Sequence, residues 1–435
     1  MALGGGVFTT QNKVLPGSYI NFVSVNRATS TLADRGVVAL PISLDWGSDE
    51  VFTVTNTDFI NNSEKIFGYS STSEQMQDLR EVFKHAREVH VYRLNSNGVK
   101  ASNDFATAKY TGERGNQLGI TIKKNIDDSS KFDVVTHLDT RVIDTQTVSA
   151  VSELVSNDFV TFKSDMTLTE TANTPLAGGT NADVTGSDWD DALASLEAYA
   201  FNILICNSTD NNIKSTCAEY TKRLRDEKGV KFQVVVHKYS QADSEAVISV
   251  ENDLVGETQS SAKLVYWVGG AEADCEINKS CTNKMYNGEL SINVKYTQNQ
   301  LEEALKTGKL IFHKVGNDVR VLEDINTWVN YTLEKNVDFK YNQTIRVIDQ
   351  IANDIATMFN TRYLGVIPND NAGRVSLWND IVKHHQELQR LRAIEDFEPE
   401  DVIVQAGDDK KAVIVTDNVT VVNAMAQLYM TVIVA

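Results

Sequence analysis

The feature that most constrains this chain is a repeated local pattern, a short amphipathic helix feeding an apolar strand rich in β-branched residues. It occurs in two blocks separated by a stretch with little helical signal. Such a pattern specifies a largely parallel sheet with helices on its faces. In the first block, strand composition covers Gly36 to Leu40, Glu50 to Val54 and Val89 to Leu94. A helix is predicted near Glu74 to Arg87, where Met76, Leu79, Val82, Phe83 and Ala86 share one face and Ser71 and Glu74 have capping-box spacing. In the second, Trp189, Leu193, Leu196 and Tyr199 form a stripe before the strand Phe201 to Cys206. Ile213, Cys217, Tyr220 and Leu224 form another, closed by Gly229 and followed by Phe232 to Val236. A strand Lys263 to Val268, a helix around Gln300 to Lys306, and strands Lys309 to His313 and Asp318 to Leu322 are expected to continue this sheet.

Between the blocks, short runs rich in Thr, Val and Ile alternate with polar turn clusters, so the α/β unit is expected to carry an inserted all-β domain. Thr171 to Ser187, with Pro175 and Gly178-Gly179, reads as the return linker. At 435 residues the chain exceeds a single typical core. The predicted division is an N-terminal arm (1–28), the first part of the α/β domain (29–100), the inserted domain (101–180), the rest of the α/β domain (181–330), a C-terminal α+β domain (331–427) and a terminal strand (428–435).

The C-terminal domain is predicted to hold two long amphipathic helices. In the first, Ile348, Ile351, Ile355 and Met358 are expected to face the core, leaving Arg346, Asp349, Gln350 and Asn353 free on the other side. In the second, Trp378, Ile381, Leu388 and Leu391 form the stripe, followed by strands at Ala412 to Thr416 and Val419 to Val422. The closing strand, Leu428 to Val434, is apolar on both faces: Met430, Val432 and Val434 alternate with Tyr429, Thr431 and Ile433. A solvated edge strand avoids that pattern. Near the other terminus, Tyr19, Ile20, Phe22, Val23 and Val25 lie in a lone run of strand composition after Pro16-Gly17. Two such strands either complete the chain's own sheet or dock into a neighbouring molecule.

Several function classes lack their motifs. None of the seven histidines precedes a glycine, no GxSxG occurs, Gly308-Lys309 is followed by Leu310 with no P-loop glycine before it, and there is no GxGxxG. No cofactor, metal ion or catalytic residue is therefore assigned. His384 and His385 read as core histidines, and the acidic pairs Asp127-Asp128, Asp190-Asp191 and Asp408-Asp409 as solvated loops and helix starts. Cys206, Cys217, Cys275 and Cys281 have no zinc-ligand spacing and are expected to be buried or free thiols, with pairing of Cys275 and Cys281 left open. A formal net charge of −18 disfavours nucleic acid. The start, MALGGGVFTT, has no signal-peptide character and no transmembrane run follows, so a soluble, cytoplasmic product without membrane insertion is expected.

The opening ALGGGVFTTQNKVLPGSYINF, TGERGNQLGITI at 111–122, WDDALASLEAYAFNILIC at 189–206, DINTW at 324–328, IRVIDQIANDIA at 345–356, GVIPNDNAGR at 365–374 and the closing LYMTVIVA resemble contractile tail sheath proteins of phages and phage-tail-like bacteriocins of Gram-positive bacteria. Thr111 departs from the pattern, since many relatives carry Pro there. The resemblance implies a central subtilisin-like α/β domain reused as scaffold, an inserted β-sandwich domain and a tube-facing C-terminal domain. It implies a helical homo-oligomer around a tail tube protein, meeting baseplate and tail terminator proteins. Assembly would take place in the bacterial cytoplasm, and contraction would drive the tube through a target envelope.

By position, the inter-subunit arm strands would be Tyr19 to Val25 and Leu428 to Val434. The free polar side at Arg346, Asp349, Gln350 and Asn353 is the expected tube-facing surface. Hinges are expected at Gly17, Asn26 to Ser30, Asn418 or Asn423. The alternatives are an inactive or unusual hydrolase on the same fold and a cell-surface array protein.

Overall fold

The computed structural model describes residues 32–256 and 260–434. In chain order, the first α/β block comprises β1 (Val37–Ile42), β2 (Phe52–Thr55), α1 (Asn56–Phe67), α2 (Gln77–Phe83) and β3 (Glu88–Arg93). The insertion holds β4 (Ala106–Ala108), β5 (Leu118–Lys124), β6 (Phe132–Leu138), β7 (Arg141–Val148), β8 (Val160–Phe162) and β9 (Thr171–Pro175). The second block runs through α3 (Gly186–Leu196), β10 (Ile203–Ile205), α4 (Asn211–Arg223), β11 (Gln233–His237), β12 (Val247–Val250), α5 (Leu264–Asp274), α6 (Gln298–Lys306), β13 (Lys309–Leu310), β14 (Phe312–Val315) and β15 (Asp318–Val321). The last part contains α7 (Asn342–Met358), α8 (Asn371–Arg390), β16 (Ile394–Glu395), β17 (Val402–Ala406), β18 (Val413–Asp417) and β19 (Thr420–Val421).

The two α/β blocks build one seven-stranded sheet in the order β13-β12-β11-β10-β1-β3-β2. It is parallel except at its edge, where β2 runs antiparallel to β3. Successive strand residues point to opposite faces, so this buried sheet needs two apolar sets. Val38, Leu40, Ile203, Ile205, Val235 and Ile248 pack on one side with Phe59, Leu79, Val82 and Trp267. Ala39, Leu204, Val234 and Val236 pack on the other with Trp189, Leu193, Cys217 and Tyr220.

Three local expectations are corrected. Lys263 to Val268 is the start of helix α5, not a strand. Every residue from Leu264 to Ala273 is buried, so the segment is apolar all round and shows no helical period. Asp318 to Leu322 does not extend the main sheet, because β15 pairs with β14 as a separate hairpin. Ser71 is not a helix cap: the turn leading into α2 starts at Glu74 with Ser73 in the cap position, and the Ser71 carbonyl accepts a 2.8 Å bond from Arg80 Nη1. The capping box of this region belongs instead to α1, which the sequence reading does not place. Thr55 Oγ1 accepts from Asp58 N, the Asp58 carboxylate accepts from Thr55 N, and Gly68 closes the helix at φ 78°.

The insertion is all-β apart from short 3₁₀ turns, with a four-stranded sheet β7-β6-β5-β9 and the pair β4-β8 around Leu118, Ile120, Ile122, Val134 and Val160. It sits on the carboxyl ends of β1 and β3, the region where open α/β sheets ordinarily bind ligands. Arg93, the buried last residue of β3, donates to Leu44 O (2.9 Å) and to Thr111 O and Oγ1 (2.9 and 3.0 Å). The Thr111 hydroxyl in turn donates to Ser96 O at 2.7 Å, a link that proline at this position would lack. A Cβ on Gly112, at φ 120°, would lie 2.0 Å from Asp45 O, so the approach of the two domains requires glycine.

Candidate assembly site

Helix α7 lies between the central and C-terminal domains. Ile351, Ile355 and Met358 pack with Ile381 and Leu388 of α8, as the stripe predicts, but Ile348 is only half-buried and Val347 takes its place in the core. The opposite side is not free. Arg346, Asp349 and Gln350 are 3%, 7% and 5% exposed, which corrects the expectation that they face the tube. The physical reason is that the central domain supplies complementary partners. Arg346 donates to Glu272 Oε2 (2.6 Å), Asp324 Oδ2 (3.3 Å) and Lys279 O (2.8 Å). Arg225 clasps Asp349 through two bonds of 2.6 and 2.7 Å. Half-buried Asn353 pairs with the backbone of Lys231, accepting from N (3.1 Å) and donating to O (2.7 Å). Gln350 Nε2 donates to Ala33 O and to Asp354.

Burial pushes Glu272 well above its usual carboxyl range, and neighbouring Asp324 adds to that shift. Burial opposes ionisation of Asp324 too, but Arg346, Cys281 N and Asn342 hold it below its usual value. The arrangement pairs a Glu272 that holds its proton more tightly than usual with an Asp324 that gives its proton up more readily, both in contact with one guanidinium. Glu272, Cys281 and Asp324 bring ligand atoms within 4.8 Å of one another, and Arg346 supplies the positive charge there. All four cysteines are buried free thiols. Cys275 is lowered to about 7, chiefly by its hydrogen bond with Cys281 against the opposing effect of burial, with help from Arg346. His384 and His385 are buried, with Nε2 of each 2.9 Å from Asp354 Oδ2 and Asp417 Oδ2 respectively.

After β19 the chain passes α7 once more. Gln343 Nε2 donates to Val422 O (3.1 Å), Ala424 N donates to Gln343 Oε1 (2.8 Å), and Thr344 Oγ1 donates to Asn423 Oδ1 (3.2 Å). Beyond this point no strand forms. Leu428, Tyr429, Met430, Val432, Ile433 and Val434 are 69–89% exposed, and none pairs with a strand among the described residues. Tyr19, Ile20, Phe22, Val23 and Val25 lie outside the described residues. Among the described residues no helix is long and apolar enough to cross a membrane.

Sequence reasoning missed Arg225, Glu272 and Asp324 as the partners of α7. Glu272 carried a signal: a carboxylate in the otherwise apolar run LVYWVGGA must find a buried partner.

Comparison with known proteins gives a consistent assignment along the chain. Residues 35–94 match the tail sheath protein Gp18 domain III N-terminal region, 96–182 the phage tail sheath protein beta-sandwich domain, 182–327 its central domain and 334–435 the phage tail sheath C-terminal domain. The chain is 32% identical to the phage-like element PBSX protein XkdK of Bacillus subtilis, covering 98% of this chain and 99% of that protein. The sheath tail protein DSY3957 of Desulfitobacterium hafniense has 36% identity and a TM-score of 0.82 over 94% of this chain and 97% of its own. Lin1278 of Listeria innocua, another sheath tail protein, has 32% identity and a TM-score of 0.79 over 91% and 93%. The contracted helical sheath of the anti-feeding prophage shares the fold at 12% identity and a TM-score of 0.55, over 97% and 99%. With these matches spanning its insertion, its parallel sheet and its C-terminal helices, the chain belongs to the phage tail sheath protein family.

Proposed function

We propose that this chain is the subunit of a contractile sheath that polymerises around an inner tube and drives it through a target envelope without catalysis. The observation that carries the reading is the C-terminal segment: Leu428 to Val434 is apolar on both faces, yet it is exposed and pairs with no strand among the described residues. Such a segment has a use where a neighbouring subunit offers a sheet edge, and Tyr19 to Val25 is proposed as the second arm. The sheet serves as a scaffold of subtilisin-like kind, and the partners are further copies of this chain, a tube protein, a baseplate and a terminator. Assembly takes place in the host cytoplasm before release in a tail-like particle.

Deletion of Met430 to Ala435 tests the reading. Each backbone hydrogen bond contributes roughly 0.5–1.5 kcal/mol net, so a docked strand supplies several kcal/mol per subunit link. The truncated protein is expected to melt like the parent by circular dichroism and to form no cylinders by electron microscopy. Normal cylinders from the truncated chain would refute the arm assignment, and a large fall in melting temperature would place the strand in the subunit's own core.

A further inference from the structure

Helix α7 holds the root of the C-terminal segment and also Ala33, at the start of the described chain. Gln343, Gln350 and Asp354 are spaced seven and four residues apart, so they lie along one side of the helix. At one end, Gln343 presents a donor to Val422 O and an acceptor to Ala424 N. That is the pair of groups a neighbouring strand would present, so the side chain fixes both the position and the direction of the backbone at this point. At the other end, Asp354 Oδ1 accepts from Ala33 N (3.3 Å) and Gln350 Nε2 donates to Ala33 O (3.2 Å). The adjoining side of α7, with Arg346, Asp349 and Asn353, is locked to the central domain. From Met425 onward, by contrast, no hydrogen bond reaches the rest of the described residues, and Met425 is fully exposed.

We infer that Gln343 is a positioning residue that clamps the root of the C-terminal arm to α7, so that the arm pivots beyond Ala424 while its root stays at a fixed place on a helix that also anchors Ala33. The inference rests on the proposed arm function and moves its C-terminal hinge. Asn423, a hinge candidate from the sequence, lies inside the clamp through its bond from Thr344. Asn418 is held by its backbone N–H, which donates to Asp401 O at 3.2 Å. The freedom to reorient begins at Met425.

The experiment uses the full-length subunit and two variants. Gln343→Met keeps the volume of the side chain and removes both bonds, whereas Gln343→Glu keeps the acceptor for Ala424 N and loses the donor to Val422 O. Hydrogen exchange resolved by fragmentation mass spectrometry is followed across residues 420–434. In the parent, Ala424 N is expected to be protected, with exchange rising to the free-chain rate from Met425. Gln343→Met should exchange Ala424 about tenfold faster, with Gln343→Glu between the two.

In the assembly assay, Gln343→Met is expected to give few or short cylinders although its melting curve stays close to the parent's, and Gln343→Glu to restore part of the yield. Free exchange at Ala424 in the parent, or unchanged protection in Gln343→Met, would overturn the clamp. Loss of protection with cylinders of parental length and yield would overturn its role in positioning. If Gln343→Met does not fold, Gln343→Glu decides by the same two readouts. Failure of the arm function itself is seen separately, as cylinders built by the chain lacking Met430 to Ala435.

Discussion

Replacing Arg346 by Met would remove the only cation that, among the described residues, forms an ion pair with the buried carboxyl groups of Glu272 and Asp324. The side chains of Arg346, Glu272 and Asp324 are each 1% exposed, so water does not screen the loss. Three bonds disappear, at 2.6, 2.8 and 3.3 Å. Burial and Asp324 push Glu272 above its usual range while Asp324 is held below its own, so Asp324 is the carboxylate that depends most on the guanidinium. Breaking one side of such a buried pair costs about 3–5 kcal/mol. For a unit of about 150–250 residues, each kcal/mol shifts the melting temperature by roughly 2–4 °C, giving an expected fall of about 6–20 °C for the unassembled subunit.

The double variant Arg346→Met with Asp324→Asn should recover much of this, because the stranded charge is then gone. Calorimetry or circular dichroism melting at neutral pH measures all three proteins. A single variant that melts within about 1 kcal/mol of the parent would refute the reasoning. So would a variant that keeps its stability and loses only its association with a tube, since that outcome requires Arg346 to face outward.

Two further perturbations probe the central domain. A Cβ on Gly270 of α5 would sit 2.4 Å from the backbone oxygen of Val82 in α2, so Gly270→Ala is expected to separate the two helices and destabilise the subunit by about 1–3 kcal/mol, read from urea unfolding. Burial holds His85 near pKa 4, below its ordinary 6.5, with Lys284 acting in the same direction and Asn287 against it. Because the unfolded chain takes up this proton first, the contribution of neutral His85 is complete above pH 6.5 and declines as pH falls toward 4. The variant His85→Phe, which keeps a ring edge-on to Trp267, should flatten that part of the stability profile in melts from pH 7 to 4.

Where sequence and structure agree, the local pattern and the tertiary environment ask for the same thing. The stripes on α3 and α4 and the strands at Phe201 to Cys206 and Phe232 to Val236 are legible because their apolar periods match the faces they bury. Helix α5 was misread because a helix buried all round loses its period, leaving the β-branched content of KLVYWV to suggest a strand. The polar side of α7 was misread for a related reason. Hydrophobic patterning treats charge as a mark of solvent, whereas Arg346 and Asp349 find their counter-ions on another domain, far away in sequence. No local period carries that information. The C-terminal segment Leu428 to Val434, expected as a strand from its two apolar faces, forms no strand and stays exposed among the described residues, because a strand needs a paired edge that local pattern does not supply.

The seat of the insertion has a consequence for how such a molecule can be remodelled. Val99 and Thr180 exchange both backbone bonds at 3.1 Å, and a Cβ on Gly98 would strike Thr180 O at 1.9 Å, so the outgoing and returning chains form a single tight neck. Paired residues of this type hold their Cα atoms about 5.5 Å apart. A module grafted there must bring its own ends to that spacing and must also replace the Thr111 acceptors that hold buried Arg93 at the end of β3. The neck thus fixes where the insertion leaves and rejoins the parallel sheet, so that a change of length inside the insertion is absorbed beyond Val99 and Thr180 and not in the strands.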